Sequence, residues 1–296
     1  MEQTAHQLLK KIYFGQATKE DEQYYIDHYM NEEEKQIGKP YFLMTPEEEV
    51  QYQVLTHNKE VGNLEGYNCS KCKNRGDIAK AINGTYYLSV CDCWNIRRSI
   101  RLMEKSGLGN LLKLYSFDKF KCEEEWQKYI FDRAKAFVDA EQNWFFIGGN
   151  AGCGKSMLCT SIVKELLKKG YPTKYMLWLD ESVALKQAIT NGEDYQKLMD
   201  EIKNVQVLYI DDFLKTGKNE EPTQADIKLA MEILNYRYNK ARADKSKRYI
   251  TIISSERSVA EIVKYDEATG SRIAEMTKPD YSLFVSKGDG RNYRMK

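Results

Sequence analysis

One eight-residue segment restricts the fold of this chain more than any other part of the sequence. The segment fits the pattern G-x-x-x-x-G-K-[ST] and reads Gly149-Asn150-Ala151-Gly152-Cys153-Gly154-Lys155-Ser156. An apolar stretch from Trp144 to Gly149 precedes it, and residues 156–169 after it have helical periodicity. A glycine-rich turn between a strand and a helix is the setting in which this pattern forms a phosphate-binding loop. The sequence therefore predicts a P-loop within an α/β fold.

The side chains of this segment indicate ATP and Mg²⁺ as ligands. Its glycines allow backbone N–H groups to turn toward phosphate oxygens, which a Cβ atom would obstruct. Lys155 supplies a positive charge for the β- and γ-phosphates, and the Ser156 hydroxyl is a ligand for Mg²⁺. We therefore expect residues 149–156 to bind the nucleotide and Lys155 to act in its hydrolysis.

Two further apolar stretches end in polar side chains that suit a nucleotide site. Residues 205–210 precede Asp211 and Asp212, and residues 249–254 precede Ser255 and Glu256. Asp211 is predicted to hold Mg²⁺ through water, and Asp212 to polarise the attacking water. Because many related sites carry Glu in place of Asp212, the shorter side chain predicts slow hydrolysis. Ser255, with Glu256 as the alternative, is predicted to face the γ-phosphate.

Strand-like and helix-like segments alternate through the C-terminal part of the chain. The predicted strands are 144–149, 173–179, 205–212 and 249–255, and the predicted helices are 156–169, 182–203 and 223–242. Alternation of this kind, with nearly continuous apolar strands, is typical of a parallel sheet covered by helices on both faces. The fold class is therefore α/β.

The N-terminal part of the chain has a different character. Residues 1–60 are polar and helical in pattern, and they contain 12 acidic and 6 basic side chains. Residues 61–121 reverse the balance, with 11 basic and 5 acidic side chains. This asymmetry suits a protein partner at one end and an anionic partner further along. A basic helix that ends near Ser106-Gly107 leads us to predict two domains, residues 1–108 and 109–296.

Four of the seven cysteines form two close pairs, Cys69 with Cys72 and Cys91 with Cys93. Four thiolates complete a closed tetrahedral Zn²⁺ site, for which we expect a structural role. An iron–sulfur cluster and unligated cysteines are the alternatives. The pairing does not suggest a disulfide framework and fits a reducing compartment. No signal peptide or stretch long enough to span a membrane is present, so we expect a cytoplasmic protein without membrane contact.

Several segments together resemble a known family. They are the cysteine-bearing residues 67–94, RRSIRLMEKSGLGNLLKLYSFDKF, the loop GNAGCGKS, the strand VLYIDD, and the ending SRIAEM…GRNYR. This combination resembles the DnaC/DnaI-type helicase loaders, an AAA+ family of bacteria and their phages, and the phage-encoded branch in particular. The resemblance covers most of residues 67–296, whereas residues 1–60 match only in their helical character.

The resemblance implies roles for residues outside the P-loop. Arg272 in SRIAEM matches the arginine finger, which reaches the γ-phosphate held by a neighbouring subunit. Arg294 in the terminal NYR matches the sensor-2 arginine, with Arg291 as the alternative. Phe117 and Phe120 occupy positions where the family packs apolar groups near the adenine. Where relatives often end the sensor-1 strand with Asn, this chain has Glu256.

The resemblance also implies partners. The N-terminal part would bind a replicative hexameric helicase, the AAA+ part would bind single-stranded DNA, and subunits would self-associate through the ATPase domain. ATP would time the delivery of the helicase to DNA. Three other functions stay open: an IstB-like transposition accessory ATPase, an interaction protein that binds ATP without hydrolysis, and an inhibitor of a host's helicase machinery.

Overall fold

The chain forms two compact units, residues 1–94 and residues 95–296. A computed structural model describes residues 4–105, 108–141, 143–217, 220–244, 248–286 and 291–292. The division lies one helix before the predicted limit at residue 108. The physical reason is that residues after Trp94 pack with the second unit, where the Thr173 N–H donates to Ser99 Oγ at 3.0 Å. No helix among the described residues is long and apolar enough to cross a membrane.

The first unit contains short helices and one hairpin. Its elements are α1 (Ala5–Tyr13), α2 (Lys19–Tyr29), α3 (Glu32–Ile37), a 3-10 turn (Tyr41–Leu43), α4 (Pro46–Lys59), β1 (Asp77–Ile82) and β2 (Thr85–Val90). Strands β1 and β2 are antiparallel. Thr18, Asn31 and Thr45 each cap the N-terminus of a helix, because their side chains accept a backbone N–H of the first turn. Local capping therefore sets where α2, α3 and α4 begin.

The second unit begins inside α5 (Cys93–Lys105) and alternates helices with strands. Its helices are α6 (Leu108–Leu114), α7 (Glu125–Phe137), α8 (Lys155–Lys168), α9 (Trp178–Ala188), α10 (Gly192–Asn204), α11 (Gln224–Ala243), α12 (Val259–Tyr265) and α13 (Glu267–Thr277), with a 3-10 turn at Phe117–Lys119. Its strands are β3 (Trp144–Gly149), β4 (Thr173–Leu177), β5 (Val207–Asp211), β6 (Ile250–Ser255) and β7 (Ser282–Val285).

The five strands of this unit form one parallel sheet in the order β4-β5-β6-β3-β7. The predicted α/β fold with a parallel sheet is confirmed. Strand β6 lies between the P-loop strand β3 and strand β5, which ends in Asp211. Because the carboxyl ends of parallel strands share one edge, the side chains after β3, β5 and β6 converge there.

Two predicted elements differ from the structure. The strand predicted over residues 173–179 ends at Leu177, and Trp178 begins α9 with its side chain buried. The helix predicted over residues 182–203 is two helices, α9 and α10, because the backbone of Asn191 between them is extended. Strand β7 was not predicted, since its four residues are too few to show a clear pattern.

A buried arginine joins α11 to the amino-terminal edge of the sheet. Arg237 is 1% exposed and donates to Thr251 Oγ1 at 2.9 Å, Val205 O at 2.7 Å and Ile250 O at 2.6 Å. It also donates to the last carbonyls of α10, Ile202 O and Lys203 O. Burial lowers the pKa of Arg237 to about 9. The negative end of the α10 dipole and several backbone carbonyl oxygens thus stabilise the buried guanidinium group.

Candidate functional site: a phosphate-binding loop and a cysteine cluster

The P-loop has a backbone that two of its glycines make possible. Gly149 has φ +125° and Gly154 has φ +96°, both in the region that favours glycine. A Cβ atom at Gly149 would lie 2.1 Å from Val285 O, and one at Gly154 would lie 2.8 Å from the Phe120 ring. The loop therefore holds its shape only with glycine at these positions. Phe120 lies against the P-loop, and its predicted place near the adenine stays a prediction.

Lys155 begins helix α8 and lies within the loop. Its side chain is buried, and Nζ donates to Gly149 O at 2.8 Å and to Asn150 O at 2.7 Å. These two bonds direct the ammonium group into the concavity of the loop. Helix α8 presents its first N–H groups at the same place, which makes the site favourable for an anion. The loop thus combines a fixed positive charge with backbone donors, as phosphate binding requires.

Asp211 connects the P-loop to the two neighbouring strands. Ser156 Oγ donates to Asp211 Oδ1 at 3.3 Å, and Ser254 Oγ also donates to Oδ1. Tyr175 OH donates to Oδ2 at 3.2 Å, and burial together with the Asp211 charge raises the pKa of Tyr175. The structure therefore brings together Ser156 and Asp211, the two predicted Mg²⁺ ligands. Ser254 and Tyr175 were not predicted as site residues, and only their distances to Asp211 reveal them.

Asp212, the predicted water-polarising residue, is held in an ion pair. Lys215 Nζ donates to Asp212 Oδ2 at 2.9 Å and lies 3.0 Å from Glu256 Oε1. Burial alone would lower the pKa of Lys215, but the two carboxylates outweigh it and raise that pKa. The Asp212 N–H donates to Ser254 Oγ at 3.3 Å. No pattern in the sequence indicated Lys215.

Ser255 is fully buried and its hydroxyl contacts backbone atoms. Ser255 Oγ donates to Phe213 O at 2.8 Å and accepts the Arg257 N–H at 3.1 Å. These bonds tie the end of β6 to the segment that follows β5. Glu256, the alternative to Ser255, contacts Lys215 instead. The γ-phosphate role of Ser255 stays a prediction.

Arg272 lies on α13 and packs toward α11. Its guanidinium donates to Ala268 O at 2.8 Å and stands over the Tyr238 ring, 5.4 Å from the centroid. With Lys228 and Lys240 it lines a groove of about 870 Å³. Within the described part of the chain, Arg272 contacts α11 and α13 and not the P-loop.

The predicted sensor-2 residue, Arg294, lies outside the described residues. Its alternative, Arg291, donates to Ser286 Oγ at 2.7 Å and stands 5.4 Å from the centroid of the Trp126 ring. The neighbouring Asn292 packs against Gly152 of the P-loop. The C-terminal segment 291–292 therefore returns to the nucleotide site.

The loop borders a cavity of about 610 Å³. Backbone and side chains of three regions line it: the P-loop (Gly149, Asn150, Ala151), Lys215 after β5, and Glu256 with Arg257 after β6. The three regions are the carboxyl ends of β3, β5 and β6. The cavity is the space at the strand ends where a parallel sheet places its ligand.

The four paired cysteines form one buried cluster in the first unit. Their sulfur atoms all lie within 4.8 Å of one another, with Cys69 Sγ 3.8 Å from Cys91 Sγ and Cys72 Sγ 3.6 Å from Cys93 Sγ. A tetrahedron with Zn–S bonds of about 2.3 Å has S–S edges of roughly 3.8 Å. The cluster therefore fits a zinc ion, which an all-sulfur site would hold structurally.

Hydrogen bonds around the cluster favour the thiolate of Cys72, whereas burial raises the pKa of Cys91. The Gly76 N–H donates to Cys72 Sγ at 3.3 Å, and Asn74 Oδ1 accepts the Cys69 N–H at 2.8 Å. Burial opposes ionisation of Cys72, but the Gly76 N–H and the neighbouring thiols outweigh it and lower the pKa to about 7. Because the thiolate is the form that ligates zinc, this environment suits metal binding.

Two proteins of Bacillus subtilis and one solved structure are similar to this chain. The Phage-like element PBSX protein XkdC of Bacillus subtilis is 30% identical over 234 residues, 75% of this chain and 83% of that protein. The Uncharacterized protein YqaM of the same organism is 30% identical over 219 residues, 69% of this chain and 64% of that protein. The crystal structure of the DnaC helicase loader aligns with a TM-score of 0.47 and 21% identity, over 60% of this chain and 98% of that one.

The sequence predicts a resemblance to DnaC/DnaI-type proteins of bacteria and their phages, and XkdC is a relative from a phage-like element of a bacterium. Residues 127–281, just over half of the chain, match the family nSTAND3, described as Novel STAND NTPase 3. This range runs from α7 to the start of β7 and so contains the P-loop, Asp211 and Arg272. The chain therefore belongs to the Novel STAND NTPase 3 family, and its nucleotide site is that of an NTPase.

Proposed function

We propose that this chain is an ATP-dependent helicase loader that binds a DnaB-type replicative helicase and single-stranded DNA when replication begins. The observation that carries the proposal is the pairing of two units in one chain. One unit joins Lys155, Ser156 and Asp211 in a nucleotide site, and the other holds a four-cysteine cluster. This pairing supports the resemblance to DnaC/DnaI-type loaders that the sequence indicates.

The residues of the second unit suit ATP hydrolysis. The P-loop N–H groups and Lys155 would bind the phosphates, and Ser156 with Asp211 would hold Mg²⁺, which would supply positive charge to the phosphate oxygens. Ser254 and Tyr175 orient Asp211 for that task. Asp212 polarises the attacking water, and the role of Ser255 at the γ-phosphate stays a prediction, since its hydroxyl contacts Phe213 and Arg257. Phe120 borders the adenine.

Self-association would complete the site. Arg272 points into a groove on α11 and α13 rather than to its own P-loop, which suits a finger that acts on a neighbouring subunit. Arg294 is the proposed second arginine, acting within its own subunit. A bidentate guanidinium stabilises the charge that spreads over a transferring phosphoryl group.

The first unit is the proposed helicase-binding part, with zinc as its structural centre. Its helices α2, α3 and α4 carry most of the acidic side chains of residues 1–60. The cysteine cluster would hold the hairpin β1–β2 and the start of α5 together. The relative XkdC is named for a phage-like element, and we propose that this chain is likewise phage-encoded.

Size-exclusion chromatography with light scattering tests the loader function. We expect the full chain, mixed with a DnaB-type helicase, ATP and Mg²⁺, to elute as one large complex. Removal of residues 1–94 should abolish the complex, whereas Lys155→Ala should leave the first unit able to bind. If no complex forms while single-stranded DNA still stimulates ATP turnover, the loader function is wrong and an IstB-like transposition ATPase is favoured.

A further inference from the structure

Lys215 joins two carboxylates at the edge of the nucleotide site. Its ammonium group lies 2.9 Å from Asp212 Oδ2 and 3.0 Å from Glu256 Oε1. Asp212 follows β5 and Glu256 follows β6, so one cation links the ends of two adjacent strands. The side chains of Lys215 and Asp212 are 31% and 27% exposed, which leaves the pair partly shielded from solvent. Such a pair is stronger than one in open solvent.

The segment that carries Lys215 is held in a strained and well-anchored turn. Asp212 and Leu214 both have φ +55°, a backbone conformation that non-glycine residues rarely adopt. The Lys215 N–H donates to Asp212 O at 2.9 Å, which closes the turn. Strain of this kind persists only where the surroundings impose it, and it is concentrated at functional sites.

Arg257 supplies much of that anchoring. Its guanidinium donates to Leu214 O at 3.2 Å, Thr216 Oγ1 at 3.2 Å and Tyr265 OH at 2.7 Å. Ser255 Oγ holds Phe213 O on the other side of the same turn. Both contacts come from β6 or the residues just after it. The position of Lys215 is therefore set by the rest of the fold and not by its own flexible side chain alone.

Lys215 and Glu256 line the same cavity as Gly149, Asn150 and Ala151 of the P-loop. A charge change at Lys215 therefore occurs beside the phosphates that the loop would bind. While Asp212 Oδ2 accepts a hydrogen bond from Lys215, a water molecule cannot donate to it from the same position. The ion pair thus competes with the proposed task of Asp212.

We propose that Lys215 is a positioning residue that holds Asp212 in an ion pair and so restrains ATP turnover by the isolated chain. The inference rests on the proposed ATPase function. Glu256 has the opposite effect, because it shares the same ammonium group and so weakens the hold of Lys215 on Asp212. The balance between the two carboxylates sets how much of the time Asp212 is available to polarise water.

Steady-state ATP turnover of four single variants tests this inference. Lys215→Met should raise kcat severalfold with KM for ATP within twofold, since the wild-type ammonium group is paired with two carboxylates and not with the phosphates. Lys215→Arg keeps a cation and should stay near the wild type. Glu256→Gln should lower kcat, because Lys215 then pairs with Asp212 alone. Lys186→Met is the matched control: Lys186 has the same 31% exposure and a 2.8 Å ion pair with Asp226, and it should leave kcat unchanged.

We expect kcat to rise in Lys215→Met and to fall in Glu256→Gln. A general loosening of the turn would change kcat in the same direction in both variants. Adding Asp212→Asn to Lys215→Met should remove the gain, because the gain passes through Asp212. If the wild type hydrolyses ATP and the kcat of Lys215→Met is equal to or below that of the wild type, this inference is wrong while the proposed hydrolysis stands. Absence of turnover in every variant, with ATP still bound, would overturn the proposed hydrolysis and this inference with it.

Discussion

At the scale of single residues, the nucleotide site is organised around Asp211. Its Oδ1 accepts from Ser156 and Ser254, and its Oδ2 accepts from Tyr175. These donors come from α8, β6 and β4, so three elements fix one carboxylate. Several donors hold a buried carboxylate in one orientation, which is what a metal ligand needs. The two serines that end β6 therefore differ in their tasks despite being adjacent in sequence.

Alanine substitution of the two serines separates those tasks. Ser254→Ala removes a donor to Asp211 and an acceptor of the Asp212 N–H, so we expect kcat for ATP to fall roughly tenfold. Ser255→Ala removes contacts to Phe213 and Arg257, so we expect a loss of about 1 kcal/mol in the free energy of unfolding and a smaller change in kcat. Urea unfolding and steady-state kinetics measure the two effects.

The opposite outcome for the two serine variants would assign the phosphate contact to Ser255. If Ser255→Ala abolishes turnover at unchanged stability while Ser254→Ala is nearly silent, Ser255 is the γ-phosphate reporter that the sequence predicts. Thr160→Ala, a change to another buried hydroxyl in the same unit, is the control for general loss of packing.

At the scale of elements, helix α11 shows how local chemistry and tertiary contacts reinforce each other. Thr223 and Asp226 form a reciprocal cap, with the Asp226 N–H on Thr223 Oγ1 and the Thr223 N–H on Asp226 Oδ2. Lys186 of α9 adds an ion pair to Asp226 Oδ1 at 2.8 Å. Burial opposes ionisation, but Lys186 and Thr223 outweigh it and lower the pKa of Asp226 below its ordinary 3.8. The cap therefore also joins two helices.

Asp226→Asn tests this arrangement through its pH dependence. The variant keeps one acceptor for Thr223 but loses the ion pair, so we expect a cost of about 1–2 kcal/mol in the free energy of unfolding at pH 7. Because the pKa of Asp226 is lowered by folding, the contribution is fully present above about pH 3.8 and is lost as the pH falls through the folded value. Urea unfolding at pH 7 and pH 5 should give equal costs. A cost that has already vanished at pH 5 would contradict the assignment.

At the scale of the whole molecule, the chain divides its tasks between two units that are stabilised differently. The second unit has a core that includes Trp144, Phe146, Ile210 and Ile253, all buried in or beside the sheet. The first unit has small clusters, such as Leu8 with Tyr25 and Met30, and the four cysteines. Units with little core commonly depend on a metal or on disulfides for stability. We therefore expect the first unit to depend on zinc and the second not to.

Cys72→Ser tests that dependence. We expect the wild type to contain about one zinc per chain, since structural sites bind zinc with roughly 10–16 kcal/mol, and the variant to contain much less. Far-ultraviolet circular dichroism should show partial loss of helix, and binding of a fluorescent ATP analogue by the second unit should persist. Cys122→Ser, at an exposed cysteine outside the cluster, is the control. Equal zinc in all three proteins, or none in the wild type, would contradict a structural zinc site.

Much of the second unit could be predicted from sequence because its signals are local. The predicted strand at residues 144–149 has the observed bounds, and the helix predicted at 223–242 is within one residue of α11 at both ends. Buried parallel strands read as apolar runs, and glycines with a lysine and a serine mark the P-loop. Weak local signals are less informative. The four residues of β7 show no clear pattern, and the apolar run that includes Trp178 does not show where a strand becomes a helix.

The partners of the site residues could not be predicted in the same way. Ser254 and Ser255 look alike in sequence, and only the sheet order, with β6 between β3 and β5, brings the Ser254 hydroxyl to Asp211. Lys215 is an ordinary surface residue by its pattern, yet a turn with two positive φ values aims it at Asp212 and Glu256. Local sequence specifies strands, helices and the phosphate loop because those depend on near neighbours. The choice of which side chains meet depends on strand order and on residues far apart in the chain, and it arises only when the sheet forms.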